Sequence, residues 1–333
     1  MRILVIGGSV FLGRAHVEEA LARGHEVTMF NRGVSRADRP GVEVVHGDRT
    51  DHDDVVRLVE GRSWDAVVDV CGYTPATVLD NVRVLNGHAS HYTFISSISA
   101  YKGFPEEIGV NEESEQFPGD PEATEGEYGP LKSGCELAVT ENFEGGALIV
   151  QPGLILGPHE NVGRLPWWLT RVQRGGRVVA PGDPDREMQL IDARDIAAFT
   201  IAQVEKGTTG KFLTGGVPAN TTYGRWLREC VEVTGSDAEL VWVDDAVLHE
   251  HKAQMWTEFP LWADDTMPGV WLTDSSKAHA AGLTCRPVSE TVRDTWEWLR
   301  HIPVEERVFG ARFQHGIDPD KEAAILADWD SRA

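Results

Sequence analysis

Tyr128 and Lys132 stand four residues apart at the start of a predicted helix, in the run Tyr128-Gly-Pro-Leu-Lys132. One helical turn brings positions i and i+4 onto the same face, so this spacing sets an ammonium beside a phenol. A nearby positive charge favours the phenolate. A tyrosine whose pKa falls below its ordinary value of about 10 can exchange a proton with a carbinol oxygen near neutral pH. Alone the pair is weak evidence, because chance supplies one in roughly every ten chains of this composition. Its meaning depends on the elements that position it.

Those elements alternate. Arg2-Ile-Leu-Val-Ile6 predicts a buried strand, and an amphipathic helix over about Leu12 to Ala22 follows, ended by Gly24. Further strands are predicted at Glu26–Phe30, Val42–His46, Asp65–Val70, His91–Ile95 and Ala147–Val150, with helices near Asp53–Glu60, Ala76–Leu85 and from Tyr128. Strands and helices in this alternation build right-handed βαβ units around a parallel sheet. The expected class is α/β, a doubly wound (Rossmann) parallel sheet with a smaller, irregular C-terminal substrate domain. The dinucleotide-binding domain is predicted over residues 1–156 plus about 186–206, and the substrate domain over about 157–185 and 207–333. Residues 102–127 form a long acidic connection that delivers the chain to Tyr128, read either as a flap beside the site or as a solvated excursion.

A chain of 333 residues suits one large or two intimately joined domains, and its 41% hydrophobic and 25% charged content is ordinary for a globular protein. The formal net charge of −22 argues against a nucleic-acid partner, which needs Lys and Arg to neutralise phosphates. Cys71, Cys135, Cys230 and Cys285 form no CxxC pair and read as buried free thiols. No apolar run approaches the length of about 18 residues needed to span a membrane. The first strand starts at once, leaving no room for a signal peptide, so a cytoplasmic location is expected. His249 and His251 flank Glu250 without an evident third ligand, and no metal site is expected. Trp167-Trp168 and the segment Met255 to Trp262 are aromatic clusters, readable as walls of a substrate pocket or as core or dimer interface.

At the first strand–helix turn stand Gly7, Gly8, Ser9, Val10, Phe11, Leu12 and Gly13. Glycines here permit a tight turn and close backbone approach, and the following helix N-terminus attracts a pyrophosphate. The second strand ends in Asn31-Arg32, with Arg36 close behind, where an NAD site usually carries an acidic residue. Asn31 does not repel a 2′-phosphate, and Arg32 or Arg36 can grip one, so NADP is the expected cofactor and NAD the alternative. Solvation is the other reading of Arg32. Asp48, after the third strand, could accept from an adenine amino group or cap the next helix.

The fifth strand runs into Ser96-Ser97-Ile98-Ser99-Ala100-Tyr101. Glycine turn, SSxxxY and YxxxK, in that order, resemble the short-chain dehydrogenase/reductase superfamily, specifically its extended branch, the NAD-dependent epimerase/dehydratase family. The resemblance covers most of residues 1–205, through Gly157-Pro158 and Leu190-Ile-Asp-Ala-Arg-Asp195, and Thr273–Lys277 with Gly282-Leu283 is similar to the family's closing segment. It implies that Ser97, four residues before Tyr101, hydrogen-bonds a substrate carbonyl oxygen. It implies that Tyr128 donates or removes the proton, and that Lys132 lowers the Tyr128 pKa and binds the nicotinamide ribose.

Three departures narrow this expectation. Val10 stands where the family's turn has a glycine, and a β-branched residue there resists φ > 0 and crowds the pyrophosphate. A bulky residue at that point is also similar to atypical members such as the chloroplast stem-loop RNA-binding group, against which the acidity here argues. Ser97-Ile98-Ser99 lacks the acidic pair that dehydratases carry, which disfavours dehydration. Leu154 and Met188 replace the Asn and Arg that hold the diphosphate in sugar-nucleotide epimerases, with Arg186 displaced, pointing to a less charged substrate. The expected function is an NADP(H)-dependent oxidoreductase acting on the carbonyl or carbinol carbon of a small molecule. An epimerase with tightly bound NAD(P) and a non-catalytic cofactor-binding regulator are the alternatives. No membrane partner is expected, and a homodimer is left open.

Overall fold

Side chains along a strand alternate between faces, and the first strand fills both. The structure, a computed structural model, describes residues 1–34, 41–310 and 315–332. In chain order the first part contains β1 (Arg2–Ile6), α1 (Phe11–Ala22), β2 (Glu26–Asn31), β3 (Glu43–His46), α2 (His52–Val59), β4 (Trp64–Asp69), α3 (Pro75–Leu85), β5 (Ala89–Ile95), α4 (Tyr128–Asn142) and β6 (Gly146–Pro152). Ile3 and Val5 of β1 pack with Val17 and Ala20 of α1 on one side of the sheet. Leu4 and Ile6 pack with Leu58, Val78 and Val82 of α2 and α3 on the other. Burial on both faces is what a parallel sheet clothed by helices demands.

The second part contains β7 (Leu154–Leu156), α5 (Arg164–Gln173), β8 (Arg177–Pro181), β9 (Glu187–Met188), β10 (Leu190–Asp192), α6 (Ala193–Glu205), β11 (Gly210–Thr214), β12 (Thr221–Thr222), α7 (Tyr223–Thr234), β13 (Glu239–Val243), α8 (Asp245–Glu250), α9 (Ser276–Ala280), α10 (Val288–Leu299) and α11 (Pro319–Arg332). The main sheet has seven strands in the order β11-β6-β5-β4-β1-β2-β3, and every pairing in it is parallel. From β3 to β6 this is the doubly wound dinucleotide-binding order, with the chain reversing direction between β1 and β4. A ligand crevice opens at the carboxyl ends of the strands at that point.

One boundary differs from the sequence division. Residues 210–214, placed with the substrate domain, pair with Leu148–Pro152 of β6 and extend the main sheet. Leu213 is fully buried and Phe212 nearly so; without this strand, β6 would be an edge with unpaired backbone groups.

The remaining elements enclose a second core. Trp168, Trp226 and Trp262 are buried in it with Phe259 and Leu169. Trp168 donates its indole N–H to the Pro260 carbonyl at 2.6 Å and stacks on Phe259 with ring centroids 6.3 Å apart. These tryptophans are core residues rather than walls of a pocket. His249 and His251 pair separately with Asp264 (2.8 Å) and Asp328 (2.9 Å). The described residues contain no cluster of three metal-ligating side chains and no helix long and apolar enough to cross a membrane.

A buried histidine makes this fold acid-sensitive. His16 on α1 is fully buried, and its Nδ1 donates to the Leu12 carbonyl at 2.7 Å, while Nε2 meets no partner. Burial pulls its pKa down to about 4, against the opposing pull of the Leu12 carbonyl and Glu19. The unfolded chain takes up this proton near pH 6.5 and the folded one does not until about 4. Stability is therefore lost as pH falls through that window and recovered above it, by about 2 kcal/mol near pH 5. Denaturation of the parent and of His16→Gln at neutral pH and near pH 5 should show the parent losing more by that amount. Equal losses would refute the assignment.

Candidate active site

After β1 the chain turns on two glycines, Gly7 at φ +103° and Gly8 at φ +88°, a conformation that side chains resist. Val10 takes an extended conformation, φ −135° and ψ 152°. The strain expected at Val10 is absent; the positive φ values of this turn fall on Gly7, Gly8 and, at +41°, on the adjacent Phe11. Gly13 is required for a different reason: a Cβ there would lie 2.8 Å from the Gly8 nitrogen and 2.8 Å from Val70 Cγ2. The helix thus packs closely against the turn. The N-cap residue Val10 makes no side-chain cap bond, which suits the first N–H groups of α1 to an anion.

Asn31, at the end of β2, accepts from the Gly33 N–H at 2.7 Å through its side-chain oxygen. Arg32 is exposed at the rim, and Arg36 lies outside the described residues. Asp48 accepts from the N–H (2.9 Å) and the hydroxyl (2.8 Å) of Thr50. These bonds, with smaller help from Arg32 and Arg49, hold its carboxyl below the usual range. The helix-capping alternative for Asp48 falls to Asp51, which accepts from the Asp53 N–H at 3.0 Å.

Ser97 follows β5 at the head of a single 3₁₀ turn, Ile98–Ala100. Its Oγ accepts from the Ser99 N–H at 3.1 Å, which leaves the hydroxyl hydrogen for another acceptor. Tyr128 is the first residue of α4 and is 42% exposed. One turn on, Lys132 is buried, and its ammonium donates to the carbonyls of Gly72 (2.8 Å) and Ile95 (3.0 Å). It lies 4.9 Å from the Phe94 ring centroid, 5.1 Å from Tyr73 and 5.9 Å from Tyr128. Burial lowers its pKa, with Tyr73 opposing. Among the described residues, two carbonyls take two of its three ammonium hydrogens, leaving one to bind a ligand.

Gly7, Gly8, Val10, Phe11, Leu12, Gly13, Asn31, Arg32, Asp48, Ser97, Tyr128 and Lys132 all line one cleft of about 680 Å³. That volume lies within the usual range for small-molecule and cofactor sites. The glycine cradle, the uncapped helix start and the single free lysine hydrogen fit a dinucleotide running from β2 toward α4.

Sequence reasoning missed a buried charged group beneath this cleft, of which Arg49 reaches the lining. Arg49 pairs with Asp69 through two bonds of 2.6 and 2.8 Å, and the Tyr92 hydroxyl donates to Asp69 at 2.9 Å. The signal was present in part, since Asp69 is a carboxylate inside the apolar run of β4. Its partners, 20 and 23 residues away, have no spacing that reveals them. Tyr73 and Arg164 also line the cleft and were not singled out.

Residues 3–213 match the NAD dependent epimerase/dehydratase family. The chain belongs to that family. The family is one of NAD-dependent enzymes. Among curated relatives, the 2′-dehydrokanamycin reductase of Streptomyces kanamyceticus is 30% identical over 207 residues, covering 60% of this chain. That match spans 56% of the relative's own length. Isoflavone reductase homolog P3 of Arabidopsis thaliana is 25% identical, covering 66% of this chain and 70% of its own. Similar solved structures include the Bordetella bronchiseptica enzyme WbmH in complex with NAD+, at TM-score 0.68 and 17% identity, covering 90% of this chain and 98% of that one. UDP-glucose 4-epimerase from Thermotoga maritima with UDP-glucose gives TM-score 0.67 and 18% identity, covering 90% and 99%. At these identities the structural likeness speaks for the fold.

Proposed function

We propose that this family member is an NADP(H)-preferring oxidoreductase that interconverts a carbonyl and a carbinol on a small organic substrate. The observation that carries the reading is that Ser97, Tyr128 and Lys132 line the same cleft as the glycine turn. When bound, the nicotinamide supplies or accepts the hydride. Ser97 donates its free hydroxyl hydrogen to the substrate oxygen and orients it. Tyr128 gives that oxygen a proton in reduction and takes it back in oxidation. Lys132, anchored by two carbonyls, keeps its third N–H for the ribose and its charge beside the phenol, which favours the phenolate. The reductase among the curated relatives supports the reductive direction.

The lining supports a substrate without a diphosphate. Leu154 contributes apolar surface to the cleft together with Phe104 and Val162. Met188 is fully buried in the second core, and Arg186 is bound to Asp245 (2.9 Å) and Asp265 (3.0 Å). Neither residue supplies the arginine that a nucleotide-sugar site needs. The experiment is to follow NADPH absorbance with a panel of small cyclic and acyclic ketones. Nucleotide retained through purification, with turnover that needs no added cofactor, would favour an epimerase instead.

Arg32 is proposed to select the cofactor, since β2 ends in no carboxylate and this guanidinium lines the cleft. A charge-assisted bond to a 2′-phosphate implies that Arg32→Ala weakens NADPH binding by about tenfold or more and leaves NADH binding nearly unchanged. Fluorescence titration with both cofactors measures it. Tighter binding of NADH than of NADPH by the parent chain would overturn this role.

A further inference from the structure

The residues proposed for the reaction come from two elements, the end of β5 and the start of α4, and one buried carboxylate ties these together. Glu136 lies one turn beyond Lys132 and two beyond Tyr128 on α4, and it is 1% exposed. Its Oε1 accepts from the Ser96 hydroxyl at 2.6 Å and from Gln151 Nε2 at 2.8 Å. Its Oε2 accepts from Gln116 Nε2 at 2.9 Å and pairs with the Lys211 ammonium at 3.1 Å. Ser96 immediately precedes Ser97. Gln151 belongs to β6 and is itself held by the Tyr101 hydroxyl at 2.7 Å. Gln116 lies in the long connection before α4, and Lys211 lies on β11.

Four donors from four segments converge on two oxygens, the arrangement that suits a carboxylate, which only accepts. A buried network satisfied in this way has one favoured geometry, and sliding or turning α4 against β5 would unpair several of its members at once. We propose that Glu136 is a positioning residue: it fixes Ser96, and so Ser97, against the Tyr128–Lys132 face of α4 without lining the cleft itself. This rests on the functional reading above.

The test uses the full chain with NADPH and the ketone that the parent reduces fastest in the panel. Glu136→Gln keeps the shape but turns an NH₂ toward donors that need an acceptor. We expect kcat to fall about 10- to 100-fold, as misplacement of reacting groups does, with KM and the NADPH Kd within about twofold. Amide hydrogen exchange, read by mass spectrometry, should quicken in residues 96–101 and 128–136 and stay parent-like elsewhere. Ser96→Ala deletes one bond of the network and should give the same pattern in smaller degree, and it serves as the test if Glu136→Gln does not fold. Parent-like kcat in these variants overturns the proposal, as does a loss of activity with exchange quickened uniformly along the chain. A parent that reduces no ketone refutes the functional reading instead. Exchange then decides Glu136, and unchanged rates in the two segments overturn its role.

Discussion

Tyr128→Phe is expected to lower ketone reduction by about 100- to 10,000-fold, the range for loss of a positioned proton donor, while NADPH binds within about twofold of the parent. The reasoning follows from the position of the side chain. Tyr128 is 42% exposed at the cleft, so deleting one hydroxyl opens no cavity in a core. The glycine turn and Arg32, which are proposed to hold the cofactor's phosphates, lie on other elements. The loss should fall on kcat with KM little changed, because the proton transfer matters only as charge develops on the substrate oxygen. Steady-state kinetics with cofactor titration measures both quantities. A variant keeping more than about a tenth of parental kcat would sink the mechanism.

Asp69→Asn is expected to destabilise the fold by about 3–5 kcal/mol, as removal of one partner from a buried ion pair does. Asp69 is fully buried in β4, and the Arg49 side chain is only 12% exposed. Besides Arg49 and Tyr92, the Cys71 N–H donates to the same carboxylate at 3.1 Å. An amide in its place turns a donor toward donors and leaves the guanidinium without its countercharge. The double variant Asp69→Asn/Arg49→Met should recover part of the loss, since no buried charge then stands unpaired. Urea denaturation of the single and double variants checks this. A single-variant loss below about 1 kcal/mol would show that the pair is solvated, contrary to its burial.

Much of the molecule was legible in the chain because its determinants are local. The apolar runs at residues 2–6 and 65–70 and the glycines at 7, 8 and 13 act through neighbours in sequence, and strands and turn lie within a residue or two of where they were read. The i, i+4 relation of Tyr128 and Lys132 needs only one helical turn. Ser97 was reached through the family resemblance, as the residue four before Tyr101.

Other features depend on what a distant segment brings. The strain expected at Val10 fell instead on other residues of the turn, Gly7, Gly8 and Phe11 at φ +41°, a distribution that composition does not encode. Asp48 lost its capping alternative to Asp51, three residues on and closer to the helix start. The strand at residues 210–214 joined the main sheet because β6 offered an open edge. The tryptophans became core because α5 and α7 meet around them with Phe259.

By itself, then, the sequence determined the doubly wound order of elements and the glycine turn, which follow from periodicity and short-range sterics. Its resemblance to a family supplied the residues proposed to face a carbonyl and a cofactor. Tertiary structure alone decided the Arg49–Asp69 pair beneath the cleft and the Glu136 network behind it. Burying a charge requires several partners at hydrogen-bonding distance, and here those partners come from strands, helices and loops 15 to 40 residues away or more. No spacing along the chain announces such a meeting; the fold has to bring it about.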